Sequence, residues 1–158
     1  MNSDQLRKYA EVLAWGLKTA RSGRFCKNEY VLIRFDPPAL PLAEEVFALV
    51  LENGQVPVLR QNLNPRMELD YFQKASDKML GLRTPGDQEL FENLSGLISL
   101  LSPESLTHLK VVDPARIGKA IIARKYLREI MEARENKGLF SWTLCLCPTP
   151  ELAKAANM

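Results

Sequence analysis

The sequence of 158 residues has no long apolar segment and no strong excess of either charge. No uninterrupted apolar run reaches the roughly 18 residues that a membrane-spanning helix needs, and the first residues do not resemble a signal peptide. We therefore expect a cytoplasmic protein without membrane contact. The 21 basic and 19 acidic residues leave a net charge of +2 that is spread evenly along the chain, so no nucleic-acid partner is expected.

Histidine and cysteine, which are common zinc ligands, are scarce. The chain has one histidine, His108, and three cysteines, Cys26, Cys145 and Cys147. The Cys145-x-Cys147 spacing is shorter than that of zinc knuckles, and Cys26 is far away in sequence. We therefore expect reduced, packed thiols and not a Cys3His zinc site. His108 is expected to be a loop or surface residue and not a catalytic base.

The glycine-rich turns and nucleophile motifs of common enzyme classes are also missing. The loop 36–41 has three prolines and no glycine, and no G-x-x-x-x-G-K-[ST] motif occurs, which argues against nucleotide binding. No G-x-S-x-G motif marks a nucleophile elbow. Glu44 and Glu45 would point about 100° apart on a helix, so we interpret them as first-turn acids that favour the helix dipole and not as a catalytic pair.

What the sequence does contain is an alternation of short apolar strands and amphipathic helices. Strands are predicted over residues 30–35, 56–59, 97–101 and 139–146. Helices are predicted over residues 4–20, 41–53, 65–79, 87–94 and 114–136, with one more beginning at Pro150. This order predicts one α/β domain over residues 1–158, with three layers. A mostly parallel sheet of about four or more strands would carry helices on both faces.

Capping residues predict where several of these helices begin. Ser3 or Asp4 is expected to cap the first helix. Elsewhere an Asn, Asp or Thr stands at the expected start, in three cases directly before a proline: Asn64, Asp87, Asp113 and Thr149.

The last predicted strand alternates apolar with smaller side chains. Phe140, Trp142, Leu144 and Leu146 form its apolar set. We expect Trp142 to be a core residue, although an aromatic residue at a strand end can also line a cleft.

The helix 114–136 begins with a basic run that has no acid within it: Arg116, Lys119, Arg124, Lys125 and Arg128. At 100° per residue these side chains spread round the helix and do not form one stripe. Lys125 and Arg128 also lie four residues before Glu129 and Glu132. A solvated helix face is therefore favoured over a nucleic-acid footprint.

Six segments of the sequence together resemble a known protein family, and they occur in the same order as in that family. They are residues 6–13, 31–34, 39–43, 102–109, 113–117 and 140–150. The most specific part is Trp142-Thr143 followed by Pro148-Thr149. With these residues the chain resembles, over nearly its whole length, the amino-terminal domain of the aminopeptidase T family, the thermophilic-type metalloaminopeptidases.

The resemblance implies a part of a broad-specificity exopeptidase that removes amino-terminal residues from peptides. Members of the family are two-domain homodimers. Their two divalent metal ions (zinc, cobalt or magnesium) are held by Glu, His and Asp side chains of a carboxy-terminal domain. That domain is not expected within these 158 residues, so no catalytic, cofactor-binding or metal-binding residue is carried over to this chain.

The chain would then be a truncated gene product, a deliberately isolated domain or a domain that has lost its catalytic partner. It would be non-catalytic and inactive by itself. The loops 36–41 and 102–108 are expected to wall the cleft or to contact a partner subunit. A homo-oligomer, or a sticky domain with an exposed apolar patch, is expected. A free-standing α/β module that binds a small ligand or another protein remains the alternative.

Overall fold

Four strands form the centre of the computed structural model, which describes residues 2–157. Every neighbouring pair of strands is parallel, which confirms the predicted sheet. The second strand lies beside one edge of the first strand, and the third strand lies beside its other edge. In the order β2-β1-β3-β4 the strands are β1 Tyr30–Phe35, β2 Val56–Gln61, β3 Leu94–Leu101 and β4 Ser141–Leu146.

Helices precede, connect and follow these strands. They are α1 Ser3–Ala20, α2 Leu40–Glu52, α3 Pro65–Lys74, α4 Asp77–Leu80, α5 Asp87–Asn93, α6 Pro114–Asn136 and α7 Pro150–Ala155. A single 3-10 turn, Pro37–Ala39, leads into α2. Within residues 2–157 no helix combines the length and the apolarity that crossing a membrane requires.

The two faces of the sheet carry separate apolar cores, which confirms the three-layer α/β fold. On one face, α1 and α2 cover side chains of β1 and β3: Val31, Ile33, Phe35, Ile98 and Leu100. On the other face, α5 and α6 cover a second set: Leu32, Leu94, Leu97 and Phe140. Because β1 and β3 are buried on both faces, most of their residues are apolar and neither strand shows a regular polar alternation.

The proline-associated helix starts agree with expectation. Asn64, Asp113 and Thr149 each accept a hydrogen bond from a backbone N–H of the first turn that follows. This side-chain acceptor satisfies a donor that has no partner within the helix.

The starts of α1 and α5 differ from expectation. Asn2 caps α1 through a capping box with Gln5, in place of Ser3 or Asp4. Gly86, with a φ of +81°, precedes α5, and Asp87 is the first helical residue and not the cap.

The position of Glu44 and Glu45 is also corrected. The 3-10 turn brings the start of α2 to Leu40, so neither acid lies in the first turn. They therefore receive little of the helix-dipole stabilisation, which decays within one turn.

The helix predicted over 65–79 is divided into α3 and α4. Ala75 is extended, and Ser76 caps α4. The interruption coincides with Arg116 of α6, whose side chain donates to the carbonyl oxygens of Phe72 and Ala75. Tertiary hydrogen bonding at this position outweighs the helical periodicity of the sequence.

α1 packs on the side of β4 that carries its small polar side chains. Ser141 is buried beneath α1, and its Oγ donates to the carbonyl oxygen of Leu17 at 2.7 Å. Gly16 lies directly over Thr143, and a side chain there would come within 3.3 Å of its Oγ1. The small polar side chains of β4 therefore allow α1 to lie close to the strand.

The apolar set of β4 consequently faces away from α1. Phe140 is buried just before the strand, but the later members are at the surface, with exposed fractions of 49%, 49% and 57% for Trp142, Leu144 and Leu146. The expectation that Trp142 is a core residue is wrong. Since β4 is also an edge strand, it combines free backbone groups with an exposed apolar row.

Candidate functional site

The strand order reverses between β1 and β3, and Asp36 lies where this reversal opens at the carboxyl edge of the sheet. Its Oδ2 accepts from the Ser102 backbone N–H at 2.6 Å, and its Oδ1 accepts from Asn62 Nδ2 at 2.7 Å. Its own backbone N–H donates to the carbonyl oxygen of Leu100 at 3.0 Å. One carboxylate thus connects the segments that follow β1, β2 and β3. Ligands of doubly wound sheets usually bind at such a reversal point.

The sequence predicts for Asp36 only a place in the loop 36–41. One feature of the sequence could have indicated a functional role for Asp36, namely that this acid directly follows a buried strand. Its partners Asn62 and Ser102 are distant in sequence, so only the fold brings the three together.

A cleft of about 510 Å³ opens beside Asp36 on the α1 and α2 side; we name it the carboxyl-edge cleft. The structure brings both predicted loops, 36–41 and 102–108, to this cleft, together with the Pro148-Thr149 segment. Its wall is largely proline and aliphatic, and two acids add negative charge: Pro38, Pro41, Leu42, Pro148, Pro150, Glu104 and Glu151. This lining offers a rigid apolar surface, since prolines have a fixed φ.

His108 lies in a smaller cavity of about 90 Å³ that adjoins the cleft through Ser102 and Glu104. Its Nε2 contacts Glu68 Oε2 at 2.7 Å, and its side chain is 20% exposed, so it is a partly buried residue. Its Nδ1 has no hydrogen-bond partner among residues 2–157. The ring therefore lacks the contact to a nucleophile that a catalytic base would show.

The cysteines form a pair and a distant third residue. The sulfurs of Cys145 and Cys147 are 3.7 Å apart, and Cys26 is exposed elsewhere. The hydrogen bond to Cys147 and partial burial raise the pKa of the Cys145 thiol. The same hydrogen bond lowers the pKa of the Cys147 thiol, and both cysteines are free thiols in a packed pair.

The described side chains do not fit a metal centre. Among residues 2–157 no group of three or more His, Cys, Asp and Glu side chains converges to hold a metal ion. The pair His108 and Glu68 and the pair Cys145 and Cys147 each offer two ligands, whereas catalytic zinc needs three protein ligands.

The basic run of α6 is largely paired. Arg116 and Lys119 both contact Asp77 of α4, at 3.2 and 3.0 Å. Lys125 and Arg128 contact acids four residues later, at 3.3 and 2.8 Å, as their spacing predicts. These pairs are typical of a solvated helix surface.

Comparison with known proteins relates this fold to a family. The family model described as thermophilic metalloprotease (M29) matches residues 2–157. The structure superimposes on AmpT of Thermus thermophilus with a TM-score of 0.66 at 15% sequence identity, over 96% of this chain and 38% of the AmpT chain. None of the curated proteins matches the sequence. The resemblance to the aminopeptidase T family is confirmed, and the chain belongs to the thermophilic metalloprotease family M29.

Proposed function

We propose that this chain is the amino-terminal, non-catalytic domain of a metal-dependent aminopeptidase that acts on peptides, and that it is inactive by itself. The observation that carries the proposal is the unequal coverage: the match extends over 96% of this chain but over only 38% of the AmpT chain. The lack of a ligand cluster within residues 2–157 supports it, because a metallopeptidase needs such a cluster elsewhere. The metal ions, zinc, cobalt or magnesium, would belong to the remaining part.

The carboxyl-edge cleft is the surface that we assign to the catalytic part of the molecule. Three segments line this cleft: the loops 36–41 and 102–108 and the Pro148-Thr149 segment. The hydrogen bond from the Ser102 backbone to Asp36 fixes the two loops relative to each other. A rigid apolar wall of this kind can limit one side of a peptide-binding groove without supplying any reacting group.

Hydrolysis of leucine p-nitroanilide by the 158-residue chain tests the proposal. The chain is assayed with added Zn²⁺, Co²⁺ or Mg²⁺ and with EDTA, beside a full-length member of the family as the positive control. We expect no turnover by the chain under any of these conditions. Turnover that EDTA abolishes would show a metal site within the chain and would overturn the proposal.

A second role, as a contact between two copies of the chain, is favoured by the edge of β4. If two copies pair β4 antiparallel about Leu144, Trp142 of one copy lies opposite Leu146 of the other, on the same face. The exposed apolar row is therefore self-complementary. We propose that this edge is the contact of a homodimer, joining two four-stranded sheets into one.

A further inference from the structure

A second large cavity, of about 670 Å³, lies on the opposite face of the sheet from the carboxyl-edge cleft, and we name it the arginine cavity. Three arginines from different elements line it: Arg34 of β1, Arg60 of β2 and Arg124 of α6. Buried apolar side chains complete part of its wall: Leu32, Phe91 and Leu127. Its volume is in the range of small-molecule sites, and its lining combines these apolar side chains with a larger number of charged and polar ones.

Arg34 is the unusual residue of this cavity. It is the one charged residue within β1, and it is half-buried. Its side chain makes a single hydrogen bond within residues 2–157, from Nη2 to Ser99 Oγ at 3.3 Å, and no ion pair. A guanidinium has five N–H donors, and burying this group without a carboxylate partner costs free energy. Burial lowers the pKa of Arg34, and the nearby Arg60 charge adds to this effect against the opposing charge of Asp36.

The acids that line the same cavity already have other partners. Both oxygens of Asp36 accept hydrogen bonds, from Asn62 and from the backbone of Ser102.

The other two acids of the cavity also have partners, an ion pair for Asp87 and a hydrogen bond for Glu68. Asp87 Oδ1 contacts Arg60 Nη1 at 2.9 Å, and Glu68 contacts His108 at 2.7 Å. Arg34 and Arg124 are therefore the cations of the cavity that have no carboxylate partner within residues 2–157.

We infer that the arginine cavity binds a small organic carboxylate with an apolar body, and that Arg34 recognises the carboxylate. The planar fork of a guanidinium matches a carboxylate with two parallel hydrogen bonds, and the apolar wall can cover the rest of the ligand. A phosphate dianion suits the cavity less well, because Asp36, Asp87 and Glu68 would repel it. The inference is independent of the proposed function, since no peptidase activity enters it.

N-acetyl-leucine and N-acetyl-leucinamide are the probes, because they differ only in the carboxylate. Binding is measured by isothermal titration calorimetry and by amide shifts in NMR spectra of the 158-residue chain. We expect N-acetyl-leucine to saturate the cavity with a Kd in about the millimolar range or below, and N-acetyl-leucinamide to bind at least about tenfold more weakly. Shifted amides should belong to residues around Arg34 and Phe91.

Variants identify the recognising residue. Arg34→Gln should weaken binding of N-acetyl-leucine at least about tenfold, whereas Arg24→Gln, which changes an exposed arginine away from the cavity, should leave it unchanged. If Arg34→Gln does not fold, Arg124→Gln on the exposed surface of α6 takes its place, and it should weaken binding severalfold.

Three results would overturn the inference. These are equal binding of the acid and the amide, no saturation by N-acetyl-leucine, and binding that survives the loss of the arginine. Inorganic phosphate is titrated as well. Saturation by phosphate at concentrations where N-acetyl-leucine does not bind would assign Arg34 to a phosphorylated ligand and exclude the carboxylate class.

Discussion

Asp36 shows how one side chain can fix three loops at the edge of a sheet. Its two oxygens accept from Ser102 and Asn62, and hydrogen bonds to a charged group stabilise more than neutral ones. Asp36→Ala removes both acceptors and leaves the donors without partners. We expect the free energy of unfolding in urea to fall by about 2–3 kcal/mol. Asp70→Ala, which loses only an exposed i,i+4 ion pair with Lys74, is the control and should change stability by less than about 0.5 kcal/mol. Equal losses in the two variants would refute the role of Asp36.

A second residue-scale prediction concerns acid stability. Glu29 receives two hydrogen bonds from Arg21, at 2.9 and 3.1 Å, and one from the backbone N–H of Cys26 at 2.8 Å. Burial alone would raise the pKa of Glu29, but these hydrogen bonds outweigh it and lower the pKa. A folded-state pKa below the unfolded value gives stability that is present above the unfolded pKa and is lost as the pH falls through the folded value.

Glu29→Gln should therefore reduce the acid-dependent part of the unfolding free energy. We expect a loss of about 1–2 kcal/mol at pH 7 and a shallower decline between about pH 5 and pH 3 than in the unchanged chain. Urea unfolding at several pH values measures both. Glu132→Gln, in an exposed pair with Arg128, is the control. Parallel pH curves for Glu29→Gln and the unchanged chain would contradict the prediction.

From the sequence one can predict the role of a residue whose partners are its neighbours in the chain. The role of a residue whose partners are distant in the sequence cannot be predicted in this way. Asn64 and Thr149 cap the helices that directly follow them, so a few neighbouring residues determine the role. Arg34 and Asp36 depend on partners from other strands and loops. Nothing in the neighbouring sequence specifies those partners.

At the scale of elements, the break between α3 and α4 depends on Arg116. Its side chain donates to the carbonyl oxygens of Phe72 and Ala75, which the interrupted helix leaves without backbone partners. Arg116→Ala should lower the unfolding free energy by about 2 kcal/mol and increase hydrogen exchange in residues 65–80.

Arg128→Ala is the matched change on the same helix, because Arg128 makes only an exposed i,i+4 pair. It should alter stability by less than about 0.5 kcal/mol. Exchange in residues 65–80 that is equally fast in both variants would show that Arg116 does not hold this segment.

β4 shows why the position of an element is easier to predict than its orientation. Alternation in 139–146 correctly located a strand, but it does not state which face a helix covers. The close approach of Gly16 to Thr143 decides the orientation, and that contact joins segments that are far apart in the sequence.

At the scale of the whole molecule, the prediction concerns the dissociation constant between two copies of the chain. If the edge of β4 forms the contact, sedimentation should show a monomer–dimer equilibrium. Leu144→Thr should weaken it at least about tenfold, because Leu144 would lie at the symmetry axis.

Ile122→Thr is the control, since Ile122 is 73% exposed and belongs to α6 and not to β4. It should leave the equilibrium unchanged. A chain that stays monomeric at high concentration, or an equal effect of both changes, would exclude this interface.

The contact between α1 and β4 also has a consequence for folding during synthesis. α1 is synthesised well before β4, yet its residues Gly16 and Leu17 lie against that strand, which follows more than a hundred residues later. Contacts between distant segments form slowly, because a long loop must close first. During synthesis the side of α1 that faces β4 therefore stays uncovered until residues 141–146 have emerged. α1 is thus synthesised early and packed late, and in the interval its uncovered apolar side is open to binding by a chaperone.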